Sequence, residues 1–137
     1  MKAWLNRCAL ALLTGYIFYY FSEASFAARP IDSTSTFDIV ITIFAYSCTA
    51  YVFLALISAF HVRSLSALFL AGAIYGWLTE GVVSQTLYLD FPLNISITGL
   101  SWHALITVLL GWYYIPMLLR RQRVGKLVVT LLLTGIV

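Results

Sequence analysis

Charge is what this chain has least of. Asp, Glu, Lys and Arg make up 9% of its residues, where a soluble domain carries roughly 25%. That is too little to cover a water-facing surface, so the apolar excess must face lipid. Cysteine is scarce as well. Cys8 and Cys48 form no C-x-x-C pair and no metal-ligand spacing, which excludes a disulfide scaffold and a zinc site. They read as two small buried thiols, Cys8 near the basic face and Cys48 near mid-membrane. There is no phosphate-binding glycine loop, no serine-nucleophile motif and no H-E-x-x-H. The net charge of +3 does not point to nucleic acid. The basic residues sit beside apolar segments, where each is worth about 1 kcal/mol against an anionic leaflet.

What is present is a chain 62% hydrophobic whose few charges are sorted by sign. The five acidic residues, Glu23, Asp32, Asp38, Glu80 and Asp90, fall at alternate breaks between long apolar runs. Lys2, Arg7, Arg63, Arg120, Arg121, Arg123 and Lys126 fall at the other breaks, and only Arg29 crosses the pattern. Lys and Arg are retained on the cytoplasmic side of a membrane. The sorting therefore predicts an all-α, polytopic transmembrane helical bundle, one integral membrane domain over 1–137, with a cytoplasmic N-terminus. The plasma (inner) membrane is the expected location, the bilayer is the expected partner, and other membrane subunits are candidate partners.

A crossing helix needs about 20 mostly apolar residues. Four spans fit, over about 5–22, 39–60, 65–87 and 99–119. Ser33 to Thr36 and Asp38 supply N-caps for the second. Residues 61–64 make a short inner turn that forces spans two and three to be antiparallel neighbours. Pro116 should kink the fourth span locally. Residues 124–137 read as an incomplete fifth span of a longer protein, or as a re-entrant tail. The stretch ending Ser25-Phe26-Ala27 also allows a cleaved secretory signal, against which stands the bulky cluster from Tyr16 to Phe21.

Glu80 is the chemical outlier, a carboxylate some turns below the outer surface of the third span. An ionisable residue inside a membrane is by default a candidate functional residue whose partner should be named. The partner is His103, just over one turn into the fourth span from the same outer side. Gly72, Gly76, Glu80 and Ser84 recur every four residues on one helix, and Gly99, His103, Thr107 and Gly111 do so on the next. Each set forms one stripe, and small residues let membrane helices approach closely. The two stripes are expected to face each other or a shared cavity. Glycines 72, 76, 99 and 111 would serve helix packing. Glu80, His103, Thr107 and Ser84 would form a substrate- or proton-binding group.

Plain packing explains the glycine stripe equally well, and the Glu80–His103 pair can be structural glue. His61 reads as an inner loop residue, and its distance in depth from His103 excludes a bis-histidine haem. Gln85, Asp38 and Glu23 lie at the outer ends of their spans and read as caps and interface residues, with a polar vestibule as the alternative. The sequence leaves any cofactor unknown and assigns no metal ligands. Two functions stay open. One is a non-enzymatic membrane module, a subunit or small transporter-like bundle binding a solute, proton or partner. The other is an intramembrane enzyme on a lipid or isoprenoid-like substrate, with Glu80 as general base and His103 beside it as the second candidate catalytic residue. A membrane Glu followed by a His on the next helix loosely resembles the glutamate-dependent CAAX-type intramembrane proteases. The chain departs from that pattern at Thr79, Ser84 and Gly99, so the family is not assigned.

Overall fold

The computed structural model describes residues 2–25 and 35–134, and among them every regular element is helical. Helix α1 covers Lys2–Tyr19 and runs on through a wider turn, Tyr20–Ala24. Helix α2 is Thr36–Ala59. Helix α3 is Leu65–Leu78, extended by a second wide turn, Thr79–Val83. After the short turn Thr86–Tyr88, helix α4 spans Ile95–Arg120, and α5 is Val124–Thr134. The candidate cleavage site after Ala27 lies outside the described residues.

Local chemistry sets where the helices begin. Ser35 and Asp38 close a capping box at the start of α2. The Asp38 N–H donates to Ser35 Oγ at 3.1 Å, and the Ser35 N–H donates to the Asp38 carboxylate at 3.3 Å, satisfying two amides that the first helical turn leaves open. Ser64 does the same for α3 by accepting from the Ala67 N–H. Basic ends and acidic ends then alternate, so the starts of α1 and α3 and the ends of α2 and α4 share one face of the bundle.

Three helices, Thr36–Ala59, Leu65–Val83 and Ile95–Arg120, are long and apolar enough to cross a bilayer. The sequence reading counted α1 as a fourth. Its opening turns carry Lys2, Asn6 and Arg7, which keeps it out of that set although it packs along the length of α2. At about 1.5 Å per residue, α5 is far shorter than the ~30 Å hydrocarbon layer. It folds back on the bundle, where Leu127 and Leu131 rest against Phe21 and Ile115.

α3 packs most extensively on α4, and α1 on α2. The centre is aromatic: Phe18, Phe53 and Tyr75 meet with ring centroids 4.2–5.9 Å apart, and Trp112 closes on Phe53 at 5.3 Å. Large apolar side chains such as Phe37, Phe44 and Leu70 point outward, the arrangement expected of a lipid-facing surface. Cys48 is exposed on α2, so it is not the buried thiol expected from the sequence. It falls on the outward face, opposite the buried Thr49, Ala50 and Phe53.

Gly15 is the contact between α1 and α2. A Cβ there would stand 2.5 Å from Ser47 Cα, a backbone atom that cannot rotate away. Gly15→Ala is expected to lower stability by about 1–3 kcal/mol, the usual cost of overpacking. Reversible unfolding in mixed micelles would measure it, and an unchanged midpoint would mean that the two helices part freely.

Winding separates the helices. In Tyr20–Ala24, Thr79–Val83 and Ile95–Tyr114 the backbone bonds reach five residues back. Examples are the Ser25 N–H to the Tyr20 carbonyl at 2.9 Å and the Ser84 N–H to the Thr79 carbonyl at 3.0 Å. α2 is α-helical throughout. α4 returns to α-helical winding at Ile115, where Pro116 sits in the first turn of the tighter segment. The helix is continuous through this point, so the missing N–H leaves a carbonyl of the preceding turn without its donor, and Pro116 marks a change of winding as well as any local bend. Wide turns are rare and collect at functional sites. Here they occur on the three helices that build the polar centre described next.

Candidate functional site

At the acidic end of the bundle α1, α3 and α4 enclose one hydrogen-bonded cluster. His103 Nε2 lies 2.6 Å from Glu80 Oε1. The imidazole is sealed at 1% exposure, while the Glu80 side chain keeps 11%. The remaining carboxylate oxygen, Oε2, faces the outer turn and accepts from Thr86 Oγ1 and, at 3.3 Å, from Ser84 Oγ. Asn94 ties that turn down by donating to the Thr86 carbonyl at 2.8 Å. On its other edge His103 Nδ1 meets Ser22 Oγ at 3.2 Å, and Ser22 Oγ meets Thr107 Oγ1 at 2.9 Å. Thr107 can also donate to the Trp102 carbonyl, 3.4 Å away. The imidazole stands perpendicular to the Tyr75 ring, centroids 5.5 Å apart.

Each part of the cluster has a local cause. The wide turn at Thr79–Val83 carries Glu80 at the end of α3, beside the short turn holding Ser84 and Thr86. Gly76 allows α4 in: a Cβ there would be 2.5 Å from the Gly99 carbonyl and 2.8 Å from His103 Cβ. Gly72 sits against Ala104 and Val108, and Gly99 under the Trp77 ring. Gly111 does not face α3 as the stripe reading required. Its open side is filled by Phe21 of α1, 2.5 Å from where a Cβ would be. In a helix whose hydrogen bonds span five residues, a step of four falls short of a full turn. The stripe therefore drifts around α4, from α3 at Gly99 and His103 to α1 at Thr107 and Gly111.

Of the residues singled out in the sequence, Glu80, His103, Ser84 and Thr107 belong to one network. Gln85 sits at the turn with a left-handed backbone, φ 58°. Asp38 caps α2, and His61 is exposed at the opposite, basic face. Glu23 accepts from the Tyr46 hydroxyl at 2.7 Å, which makes it an interface residue between α1 and α2. Ser22 and Thr86 are the network members the sequence reading missed. The signal for Ser22 was present: Ala11, Thr14, Gly15, Phe18, Phe21 and Ser22 repeat at helical spacing, and all six are buried. Two further hydroxyls beside the cluster, Tyr75 and Thr79, are buried with no hydrogen-bond partner of normal geometry. Among the described residues no group of three His, Cys, Asp or Glu side chains is placed to hold a metal ion.

A family model described as an uncharacterised membrane protein family matches residues 12–135, nearly the whole chain. The chain belongs to that family. Its membership and its three long apolar helices make it an integral membrane protein, a helical bundle of multi-pass type. Comparison with curated proteins and with solved structures gave no match. The family match covers α1 from Leu12 onward and all of α2 to α4, so every residue of the polar cluster lies within it.

Proposed function

We propose that this membrane protein is a non-enzymatic helical module whose Glu80–His103 centre takes up and releases a proton. The carrying observation is that both imidazole nitrogens are engaged, Nε2 by Glu80 and Nδ1 by Ser22. The chain beyond them can run in either direction. With neutral His103, Nε2–H donates to Glu80, the Ser22 hydroxyl donates to Nδ1, and Thr107 donates to Ser22. With a proton on Nδ1 the order reverses: Nδ1–H donates to Ser22, Ser22 to Thr107, and Thr107 to the Trp102 carbonyl. Hydroxyls rotate to donate or accept, so no member is left unsatisfied in either state. A pair serving only as glue has no need of a second acceptor at the far end. Histidine changes charge between about pH 5 and 8, and buried carboxylate–imidazole chains in membranes mark proton relays.

The charged and titratable groups facing the centre are Glu80 from α3, Glu23 from α1, and the tyrosines Tyr46 from α2 and Tyr75 from α3. Glu80 is the member nearest the outer turn, so exchange with solvent runs past Ser84 and Thr86. The basic end of the bundle is assigned to the cytoplasm on the retention of Lys and Arg there, in a plasma (inner) membrane. Intramembrane catalysis on a lipid is the less supported reading, because substrate would have to reach an imidazole that is almost wholly enclosed.

Nitrogen-15 NMR of histidine-labelled protein in lipid bilayers tests the proposal directly. The chain has two histidines, and His61→Gln leaves only the signal of His103. That signal should change between neutral and doubly protonated forms across the pH range over which the protein stays folded, and Glu80→Gln should move the change. A ring held in one state across the range, or a transition indifferent to Glu80, would leave the pair as structural glue.

A further inference from the structure

We propose that the basic end of the bundle carries a specific site for one anionic phospholipid, in the groove between α1 and α4. The groove has a volume of about 470 Å³, within the ~300–1,000 Å³ range of small-molecule sites. Leu10 and Leu13 of α1 form one wall, and both are largely exposed, Leu13 at 65%. Away from the arginines the lining is mostly apolar, with Tyr113 on the wall and the Trp112 indole N–H reaching Thr14 Oγ1 at 3.4 Å. Arg120 and Arg121 line the groove where α4 ends. The shape is an apolar slot that ends in two guanidinium groups.

Charge identifies the occupant. The ion pair Glu80–His103 is the one formed among the described residues, and it lies at the opposite end of the bundle. The acidic side chains of the described residues all sit toward that far end, so none of them neutralises Arg120 or Arg121. Arginine holds phosphate through paired N–H donors in a planar fork. Two adjacent arginines above an apolar slot fit a phosphate ester with an acyl chain below it. A soluble phosphate would use the arginines and leave the slot unfilled, and an uncharged lipid would use the slot and leave the arginines unmatched. Basic pockets between membrane helices bind anionic headgroups in this way.

Two smaller grooves allow a matched control. One, about 410 Å³, lies between α1 and α2 with Arg7 on its wall. The other, about 270 Å³, lies at the α2–α3 turn with Arg63. Each has a single arginine. Removing Arg7 and Arg63 together deletes the same charge as removing Arg120 and Arg121, from the same end of the bundle.

The test is native mass spectrometry of the full chain released from mixed phosphatidylglycerol and phosphatidylcholine micelles. Wild type should retain one phosphatidylglycerol in preference to phosphatidylcholine. Arg120→Gln with Arg121→Gln should lower that preference by roughly thirtyfold, from about 1 kcal/mol per basic residue near a headgroup. Leu13→Trp, which fills the slot and leaves charge untouched, should also reduce retention. Arg7→Gln with Arg63→Gln should change it by less than threefold. An equal loss in the two double variants would reduce the effect to general surface charge and overturn the site. So would retention indifferent to Leu13→Trp, or displacement of the lipid by millimolar inorganic phosphate.

Discussion

Gly76→Ala is expected to be among the most damaging single-methyl changes in the chain, lowering stability by about 3 kcal/mol. The added carbon would lie 2.5 Å from the Gly99 carbonyl oxygen and 2.8 Å from His103 Cβ. Neither can give way without moving α4, because one is backbone and the other is fixed to it. Separation is expensive in a bilayer for a particular reason. Lipid tails are as apolar as the helix surfaces, so no hydrophobic force pulls the helices back together, and association rests on close packing and interhelical hydrogen bonds. Moving α4 outward forfeits both, since the Glu80–His103 bond crosses the same contact. Gly72→Ala should cost about 1 kcal/mol, because its nearest neighbours are 3.1–3.3 Å away and a small adjustment relieves them. Gly125→Ala meets nothing within 4 Å and should be neutral or slightly stabilising, as helix propensity dictates. Steric trapping or mixed-micelle unfolding of the three variants would rank them. Equal costs at Gly76 and Gly72 would show that α3 and α4 are not in the contact described here.

Much of this was legible in the sequence because a membrane leaves few choices. Charge sorting fixes which segments are antiparallel. A short outer connection then brings the end of α3 level with the start of α4, so Glu80 and His103 share a depth before any coordinates are known. What was not legible depends on winding and on the third helix. A reader of sequence assumes hydrogen bonds spanning four residues, and on that assumption Gly99, His103, Thr107 and Gly111 face one neighbour. The wider winding of Ile95–Tyr114 turns the last two toward α1. That rotation brings Ser22 to the second imidazole nitrogen and seats Phe21 on Gly111. Thr86 was hidden for another reason: it sits past the helix end, in a turn whose path is set by Asn94 rather than by any periodic pattern. The first helix was misjudged in function more than in place. Its buried stripe reads as packing until one sees that Ser22, at the stripe's end, completes the polar centre.

The second large effect belongs to the pair itself. His103→Ala should lower stability by about 3 kcal/mol, and the coupling energy from a double-mutant cycle with Glu80→Ala should reach about 2 kcal/mol. Two magnitudes compete here. Interhelical hydrogen bonds in bilayers average only about 0.6 kcal/mol, with a maximum near 1.7, because the separated helices find other partners. Breaking a buried ion pair by removing one member costs about 3–5 kcal/mol in soluble proteins, because the remaining charge is stranded. The geometry places this pair between them. Removing His103 leaves the carboxylate with Ser84 and Thr86 on one oxygen and 11% of the side chain accessible, which softens the loss. Removing Glu80 strands an imidazole at 1% exposure with Ser22 as its remaining partner. Glu80→Gln should therefore be far milder than Glu80→Ala, since an amide oxygen still accepts from Nε2–H, and should differ from wild type chiefly in how it responds to pH. A coupling near 0.6 kcal/mol, equal at pH 5 and pH 8, would place this contact among ordinary polar packing and remove the ground for a proton site. A coupling that changes by 1 kcal/mol or more between those values would mean that protonation and helix association at α1, α3 and α4 are one equilibrium.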